Sequence, residues 1–269
     1  MPDLDINFHQ EDCQFSISFD VVAEIYDKTR SLPTEVMKRL VGQFVLELGS
    51  YQTILEVGVG TGRFAEPLQA NGLEVFGIDI SRKMVDKAKK KRVKNLFLAD
   101  ARFLPFKPQS FDAVISVHVL HLIPEWKKAL KEIYRVTRCT VFSVGDVNRD
   151  PVREAYDRLL RNLGYERRHP GKSEQELDQL FCPARKVFVT SYEVSADESL
   201  INLERRTSSS QWAIPEDVNK KAVEELKKTF AGRFFRHDLY LLIWQIESLK
   251  AWHKAQNVSE KTACANKKN

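Results

Sequence analysis

The feature that most constrains the fold is a glycine-rich turn that directly follows a short apolar segment. Residues 53–57 (Thr-Ile-Leu-Glu-Val) predict a buried strand, and residues 58–62 (Gly-Val-Gly-Thr-Gly) follow without a break. Alternate glycines allow positive φ angles and let a ligand approach the backbone closely. A helix that begins after such a turn presents free N–H groups, which favour an anionic or polar group. The segment therefore predicts a ligand-binding strand–turn–helix unit.

Strand and helix patterns then alternate along the chain as far as residue 144. This alternation is typical of a parallel, doubly wound sheet. After residue 150 strands and helices no longer alternate regularly, but two more strand patterns follow. The predicted strands cover 53–57, 74–80, 95–98, 111–117, 140–144, 186–194 and 238–246; the predicted helices cover 16–48, 63–70, 82–92, 125–136, 198–207 and 216–230, with more helix within 151–181.

Acidic residues end the second and third predicted strands, at Asp79 and Asp100. In doubly wound sheets a ligand lies outside the carboxyl ends of the strands, near the switch in strand order. Asp79 can accept two hydrogen bonds from a ribose diol, and Asp100 can accept one from an adenine amino group. The two acids therefore predict a nucleoside at this edge of the sheet.

The glycine spacing alone leaves the class of nucleotide open. The dinucleotide fingerprint requires Gly-x-Gly-x-x-Gly or Ala. Started at Gly58, the pattern fails at Arg63; started at Gly60, it fits at Ala65. A nicotinamide-dependent oxidoreductase is therefore one alternative that the glycines do not exclude.

Four stretches together resemble the class I S-adenosylmethionine-dependent methyltransferases, most closely the small-molecule branch with the ubiquinone and menaquinone methyltransferases. They are ILEVGVGTGRFA, VFGIDISRKMVDKAKKK, LFLADARFLPFKPQSFDAVIS and VLHLIPEWKKALKEIYRVTR, within residues 54–138. The resemblance implies an α/β fold, a doubly wound, mostly parallel seven-stranded sheet with helical lid insertions. It also implies S-adenosylmethionine as cofactor, S-adenosylhomocysteine as product and a small-molecule acceptor.

One departure from that branch follows Arg138. The family usually has a Lys-Pro-Gly-Gly turn before the fifth strand, whereas Cys139-Thr140 here leads directly into it. This difference argues against a close assignment to the quinone enzymes and leaves the acceptor open.

The resemblance implies which residues bind the cofactor. The three glycines would pass under its methionine and ribose, Glu56 would hold the amino-acid end, and Asp79 would bind the ribose hydroxyls. Ile80 and Met84 would lie beside the adenine, which Asp100 and Ala101 would bracket. The full implied set is Tyr26, Arg30, Glu56, Gly58, Gly60, Gly62, Asp79, Ile80, Met84, Asp100, Ala101, Ser116 and Val117.

Two histidines follow the fourth predicted strand, His118 and His121. An oxygen or nitrogen nucleophile must lose its proton around the time of transfer, and histidine titrates near neutral pH. We predict that His118 is the catalytic base, with His121 as the alternative; positioning alone is the competing hypothesis. No metal is expected, because neither a carboxylate nor a third histidine lies nearby in sequence.

Positive charge is concentrated in one segment of a chain whose net charge is +5. Residues 82–94 hold eight basic residues and one acid, Asp86. We interpret them as a solvated helix face, because Met84, Val85 and Ala88 would face the sheet and no aromatic residues interleave with the charges. This argues against a nucleic-acid partner, although an RNA-modifying methyltransferase or nucleic-acid-binding module stays an alternative.

The length of 269 residues predicts one domain with additions. We expect an N-terminal helical segment over the cofactor (1–50), the cofactor-binding core (51–150), lid elements with the last two strands (151–249) and a polar tail (250–269). No apolar run is long enough for a membrane span, and the acidic start lacks a signal sequence, so a cytoplasmic location is expected. The sequence does not indicate the oligomeric state.

Overall fold

Seven strands form one sheet in the computed structural model, which describes residues 19–21, 23, 26–27, 32–146, 150–167, 169–180 and 184–251. The strands are β1 (Ile54–Val57), β2 (Val75–Asp79), β3 (Leu96–Leu98), β4 (Phe111–Ile115), β5 (Thr137–Asp146), β6 (Arg185–Ser195) and β7 (Phe234–Gln245). Their spatial order is β3-β2-β1-β4-β5-β7-β6. Strand β7 is antiparallel to β5 and β6, and the other pairs are parallel. The predicted doubly wound, mostly parallel seven-stranded sheet is confirmed.

Helices cover both faces of this sheet. They are α1 (Thr34–Leu48), α2 (Ala65–Ala70), α3 (Arg82–Lys90), α4 (Trp126–Val136), α5 (Pro151–Asn162), α6 (Glu174–Leu180), α7 (Ala196–Glu204) and α8 (Glu216–Phe230), with single 3₁₀ turns at Phe19–Val21, Leu120–Leu122 and Ser209–Gln211. Within the described ranges, no helix is both long and apolar enough to cross a membrane.

The alternation of side chains along β1 divides the core between the two faces. Ile54 packs in one cluster with Phe44 of α1, and Leu55 packs in the other with Ile133 of α4. Every residue of β1 is buried. This is why the strand reads as a continuous apolar run rather than as an alternating one.

A third cluster lies among the helices that follow the parallel strands. Tyr156 of α5, Leu200 of α7 and Val223 of α8 pack together there and are fully or almost fully buried. The hydroxyl of Tyr156 donates a hydrogen bond to Asn219 of α8. These three helices therefore form a layer with its own core.

Two predicted strands are longer than their apolar runs indicated. Strand β5 begins at Thr137, directly after α4 ends at Val136, because Thr137 pairs with Phe111 of β4. This direct transition explains why the family's usual turn is absent. Strand β7 begins at Phe234 rather than Asp238, because its first residues pair with β6 as far as Ser195.

The helix expected over 16–48 was wrong in its extent. Helix α1 begins at Thr34, directly after Pro33; Leu32 and Pro33 are not helical, whereas 19–21 form a 3₁₀ turn and 26–27 are helical. Proline cannot continue a preceding helix without losing a hydrogen bond, but it is well placed at a helix start. The helical pattern over 151–181 predicts an internal stop at Pro170-Gly171, and the segment does form two helices, α5 and α6, separated by residues 163–173.

Candidate functional site

The carboxyl ends of β1 to β4 open into a cavity of about 760 Å³. Arg30 lies outside the described residues, and Glu56, Gly62 and Ser116 are buried without lining the cavity. The other predicted residues line it: Tyr26, Gly58, Gly60, Asp79, Ile80, Met84, Asp100, Ala101, Val117, His118 and His121. The structure thus brings most of the predicted set to one place.

The turn after β1 needs glycine at two positions for different reasons. Gly58 has a φ of 74°, and a Cβ there would lie 2.3 Å from a methyl group of Val119. Gly60 has a φ of 56°, but a Cβ there would meet no atom closer than 4.0 Å. Gly58 is therefore required by packing and conformation together, while Gly60 leaves open space above the turn.

Glu56, the third residue of β1, is a buried carboxylate with one unsatisfied oxygen. Its side chain is 3% exposed, and within the described residues Oε2 has no hydrogen-bond partner. Burial raises the pKa of Glu56 to about 8, although Arg63 and the backbone N–H of Ala65 oppose the shift. A carboxylate in this position is stabilised by a cationic or hydrogen-bond-donating ligand.

Asp79 connects the glycine turn to the end of β2. Its Oδ2 accepts a hydrogen bond from the backbone N–H of Gly60 at 2.8 Å, and its Oδ1 accepts one from Ser81 at 2.8 Å. Burial raises the pKa of Asp79, and these amide bonds offset only part of the shift. The carboxylate therefore shapes the turn in addition to lining the cavity.

Asp100 follows β3 and is paired with Arg102. The guanidinium of Arg102 donates to Asp100 Oδ2 from its terminal nitrogen at 2.7 Å, and the backbone N–H of Arg102 donates to Oδ1 at 2.8 Å. Burial raises the pKa of Asp100, but the bonds with Arg102 outweigh it and the net pKa is lowered. Asp100 is therefore a fixed, charged acceptor at the cavity wall.

Two acids before α1 contact the segments that follow β1 and β2. Asp27 accepts a hydrogen bond from the hydroxyl of Thr61 at 2.5 Å and forms an ion pair with Lys91 at 2.7 Å. Asp20 accepts from the hydroxyl of Ser81, which also caps α3. No local pattern could indicate these contacts, because the partners lie far along the chain.

His118 and His121 stand with two residues that sequence reasoning missed, His169 and Glu174. The rings of His121 and His169 are 4.6 Å apart between centroids, and those of His118 and His121 are 6.3 Å apart. Glu174 accepts a hydrogen bond from the backbone N–H of His118 at 2.5 Å. No local motif could reveal this contact, because 56 residues separate the partners in sequence.

Strands β6 and β7 continue beyond the edge of β5 and form a wall of the cavity. Asp146 ends β5 opposite Leu239, whereas β7 and β6 stay paired as far as Phe234 and Ser195. His237 in this extension lines the cavity, is 7% exposed, and has an Nε2 without a hydrogen bond in the described part of the chain. A buried polar atom without a partner is costly, so the wall offers a polar contact to a ligand.

Across the described ranges, no group of three or more His, Cys, Asp or Glu residues is arranged to hold a metal ion.

The central residues of the chain match a known family. Residues 55–140 match the family model described as a methyltransferase domain. A demethylmenaquinone methyltransferase from Renibacterium salmoninarum is 40% identical over 125 residues, which cover 45% of this chain and 52% of that protein. A phosphatidylethanolamine N-methyltransferase from Cereibacter sphaeroides is 35% identical over 121 residues, 42% of this chain and 58% of that protein. The chain thus spans little more than half the length of these two curated relatives.

A solved structure shares the fold. The magnesium protoporphyrin IX methyltransferase from Synechocystis with bound S-adenosylhomocysteine superposes with a TM-score of 0.50 at 15% identity, covering 84% of this chain and 95% of that one. Together with the family match, this confirms the resemblance to class I S-adenosylmethionine-dependent methyltransferases that the sequence predicted.

Proposed function

We propose that this chain, whose residues 55–140 form a class I methyltransferase domain, transfers a methyl group from S-adenosylmethionine to a small-molecule acceptor. The observation that carries the proposal is the convergence of three acids, Glu56, Asp79 and Asp100, at one edge of the sheet. They stand in β1 and at the ends of β2 and β3, around the turn that leaves open space above Gly60.

The residues present fit the cofactor in charge and in shape. The unsatisfied Oε2 of Glu56 suits a cationic amino group, which S-adenosylmethionine carries at its methionine end. Asp79 has lone pairs left for ribose hydroxyls after accepting one amide on each oxygen. Ile80 and Met84 supply apolar surface and Asp100 a fixed acceptor for the adenine.

When bound, S-adenosylmethionine supplies a methyl group that its sulfonium charge already activates. The chain itself mainly orients the acceptor and excludes water. Helices α5 to α7 and the β6–β7 wall surround the end of the cavity away from the glycine turn. We place the acceptor there, beside His237 and within reach of the proposed base, His118 or its alternative His121.

The relatives support a small-molecule acceptor without identifying it. Their names include a quinone and a phospholipid amine, two acceptors of different chemistry. The division into an N-terminal cover, a core, lid elements and a tail, the cytoplasmic location and the low affinity for nucleic acid stay predictions.

Calorimetry with three ligands tests the proposed activity. We expect S-adenosylmethionine and S-adenosylhomocysteine to bind and NAD not to bind. Binding of NAD without either sulfur nucleoside would refute the proposal. A methyl-transfer screen of metabolite pools against total RNA then tests the acceptor class; incorporation into RNA that charge reversal at Lys87, Lys90 and Lys91 abolishes would overturn the small-molecule assignment.

A further inference from the structure

The carboxylate of Glu174 contacts His118 at two atoms. Its Oε1 accepts the backbone N–H of His118 at 2.5 Å, and its Oε2 lies 3.3 Å from the ring Nδ1. The side chain of Glu174 is 12% exposed and that of His118 is 52% exposed. His118 has a φ of 56°, which is uncommon for a residue other than glycine. Contact at two atoms fixes both the backbone and the ring of His118 against one carboxylate.

The segment that carries Glu174 is fixed to the sheet edge by its own contacts. The backbone N–H of Gly171 donates to the carbonyl of His121 at 3.0 Å, and a Cβ at Gly171 would lie 1.9 Å from the carbonyl oxygen of Leu120. Ser173 donates through its N–H and hydroxyl to Glu176 at 2.9 Å, which closes the first turn of α6. Glu174, the first residue of α6, is therefore held in place from both sides.

We propose that Glu174 is a positioning residue that holds the Nδ1–H tautomer of His118 and leaves Nε2 free to accept a proton from the acceptor. This inference rests on the proposed methyl transfer and deepens it. It selects His118 over His121 as the base. It also assigns the acceptor to hydroxyl or amine compounds, which must lose a proton, rather than to thiolates or acidic carbons.

The proton and the electrons balance in this step. The acceptor's O–H or N–H proton passes to Nε2 of His118 as its electron pair forms the bond to the methyl carbon. The bond between that carbon and sulfur breaks, and its electron pair stays on the sulfur of S-adenosylhomocysteine. The imidazolium of His118 then lies against the carboxylate of Glu174 until it returns the proton to solvent.

The charges around the pair are consistent with an ionised Glu174. Burial raises the pKa of this carboxyl, but the charge and hydrogen bond of His118 and the charge of His121 outweigh burial, and the pKa is lowered to about 2. His121 faces His118 from the turn after β4, and His169 packs on His121 from the segment before α6. An ionised carboxylate can only accept, so Nδ1 must carry the proton in this contact.

The variant Glu174→Gln distinguishes a role in holding the Nδ1–H tautomer of His118 from a merely structural role. The amide oxygen keeps the bond from the backbone N–H of His118, and the NH₂ group then faces Nδ1 and donates to it. Neutral His118 should change from the Nδ1–H to the Nε2–H tautomer, so that Nε2 can no longer accept a proton. Asp178→Asn, the same kind of change on α6 at a carboxylate that contacts Ala184 and Lys186 instead, should leave the tautomer of His118 unchanged.

Nitrogen-15 NMR of the full chain labelled at histidine, with S-adenosylhomocysteine added, measures the tautomer; His118→Ala assigns the signal. With an acceptor from the metabolite screen, Glu174→Gln should lower turnover about 10²–10⁴-fold and remove the limb of the pH profile near neutrality. An Nε2–H tautomer in the unaltered protein, an unchanged tautomer in Glu174→Gln, or unchanged turnover would each overturn the proposal. Failure to bind S-adenosylhomocysteine would instead refute the methyltransferase function, since the tautomer can be measured without the ligand.

Discussion

Asp112, at the amino edge of the parallel strands, differs from Glu56 and Asp79, near the carboxyl edge, in the direction in which the protein shifts the pKa. At the amino edge, Asp112 of β4 accepts from the backbone N–H groups of Gln52 and Thr53, both at 3.0 Å, and from Arg138 at 2.8 Å. Burial raises the pKa of Asp112, but these bonds outweigh it and the pKa is lowered. At the carboxyl edge, burial raises the pKa values of Glu56 and Asp79, whereas Asp100, despite its burial, keeps a lowered pKa because of its bonds with Arg102.

From this difference we infer that Asp112 stabilises the fold, whereas Glu56 and Asp79 bind the proposed cofactor. A carboxylate with a lowered pKa gains stability from partners within the protein. A carboxylate with a raised pKa is destabilised by burial and regains stability when a ligand donates to it or brings positive charge. Under the proposed function, a carboxylate therefore has a structural role at Asp112 and a binding role at Glu56 and Asp79.

Substitution of Asp112 should give the largest effect, and it should fall on stability. Asp112→Ala is expected to lower the unfolding free energy by about 3–4 kcal/mol, because two backbone N–H groups and Arg138 lose their acceptor. Affinity for S-adenosylhomocysteine should stay within about threefold. Denaturant unfolding and calorimetry measure the two quantities. Arg138→Ala is the matched control and should cost less than about 1 kcal/mol, because that ion pair is half exposed.

Substitution of Asp79 should give a smaller effect that falls on binding. Asp79→Ala is expected to weaken S-adenosylhomocysteine binding by about 10–150-fold, or roughly 1.5–3 kcal/mol, through the lost ribose contact. Stability should fall by only about 1 kcal/mol, through the lost bonds to Gly60 and Ser81. If folded Asp79→Ala kept full affinity, the two edges would not differ in function as we infer.

The smallest expected effect, counted for a change of one pH unit, is on cofactor affinity and comes from the protonation of Glu56. Folded Glu56 holds its proton up to about pH 8, whereas the ordinary pKa is 4.5. Because the pKa of Glu56 is higher in the folded than in the unfolded chain, its protonated form stabilises the unliganded fold fully below pH 4.5. This stabilisation is lost as pH rises through 8. A ligand's cationic amine favours the ionised form, so binding should release a proton.

In the range below pH 8, affinity for S-adenosylmethionine should therefore rise by up to tenfold, about 1.4 kcal/mol, for each unit by which the pH increases. Calorimetry at pH 6, 7 and 8, in buffers with different ionisation enthalpies, measures both the affinity and the proton release. Glu56→Gln should remove most of the pH dependence. If the affinity of the unaltered chain did not change between pH 6 and pH 8, Glu56 would not interact with the ligand's amine as we infer.

Local patterns predicted the elements and acids that lie close together in sequence. The glycine turn, Asp79 and Asp100 each end or follow a strand, and the parallel order brings strand ends to one edge. Ser81, a residue type favoured at helix N-caps, directly precedes the predicted helix, and its hydroxyl accepts a hydrogen bond from the backbone N–H of Met84 at 3.2 Å. These features depend on periodicity and on the direction of strands, both of which a sequence records directly.

Contacts between distant segments could not be predicted in the same way. Glu174 and His237 come from segments without a motif, and only tertiary packing brings them to the cavity. The two amide bonds of Asp79 were missed because a strand-end acid gives no sign of which neighbours it accepts from. The first four residues of β7, Phe-Phe-Arg-His, were not predicted as strand, because pairing with β6 rather than a continuous apolar pattern specifies them.

The late return of β7 has a consequence for the order in which the sheet assembles. Strands β1 to β5 all come from residues 54–146, whereas β7 completes the sheet beside β5 through pairs such as Thr140 with Gln245. Loop closure over such a distance is slow, so local pairs form before it. During synthesis, β1 to β5 emerge before β7. Until β7 is made, the edge of β5 that will pair with it has no partner strand. The edge of β5 is therefore the part of the nascent chain most exposed to aggregation or to early protection by a chaperone.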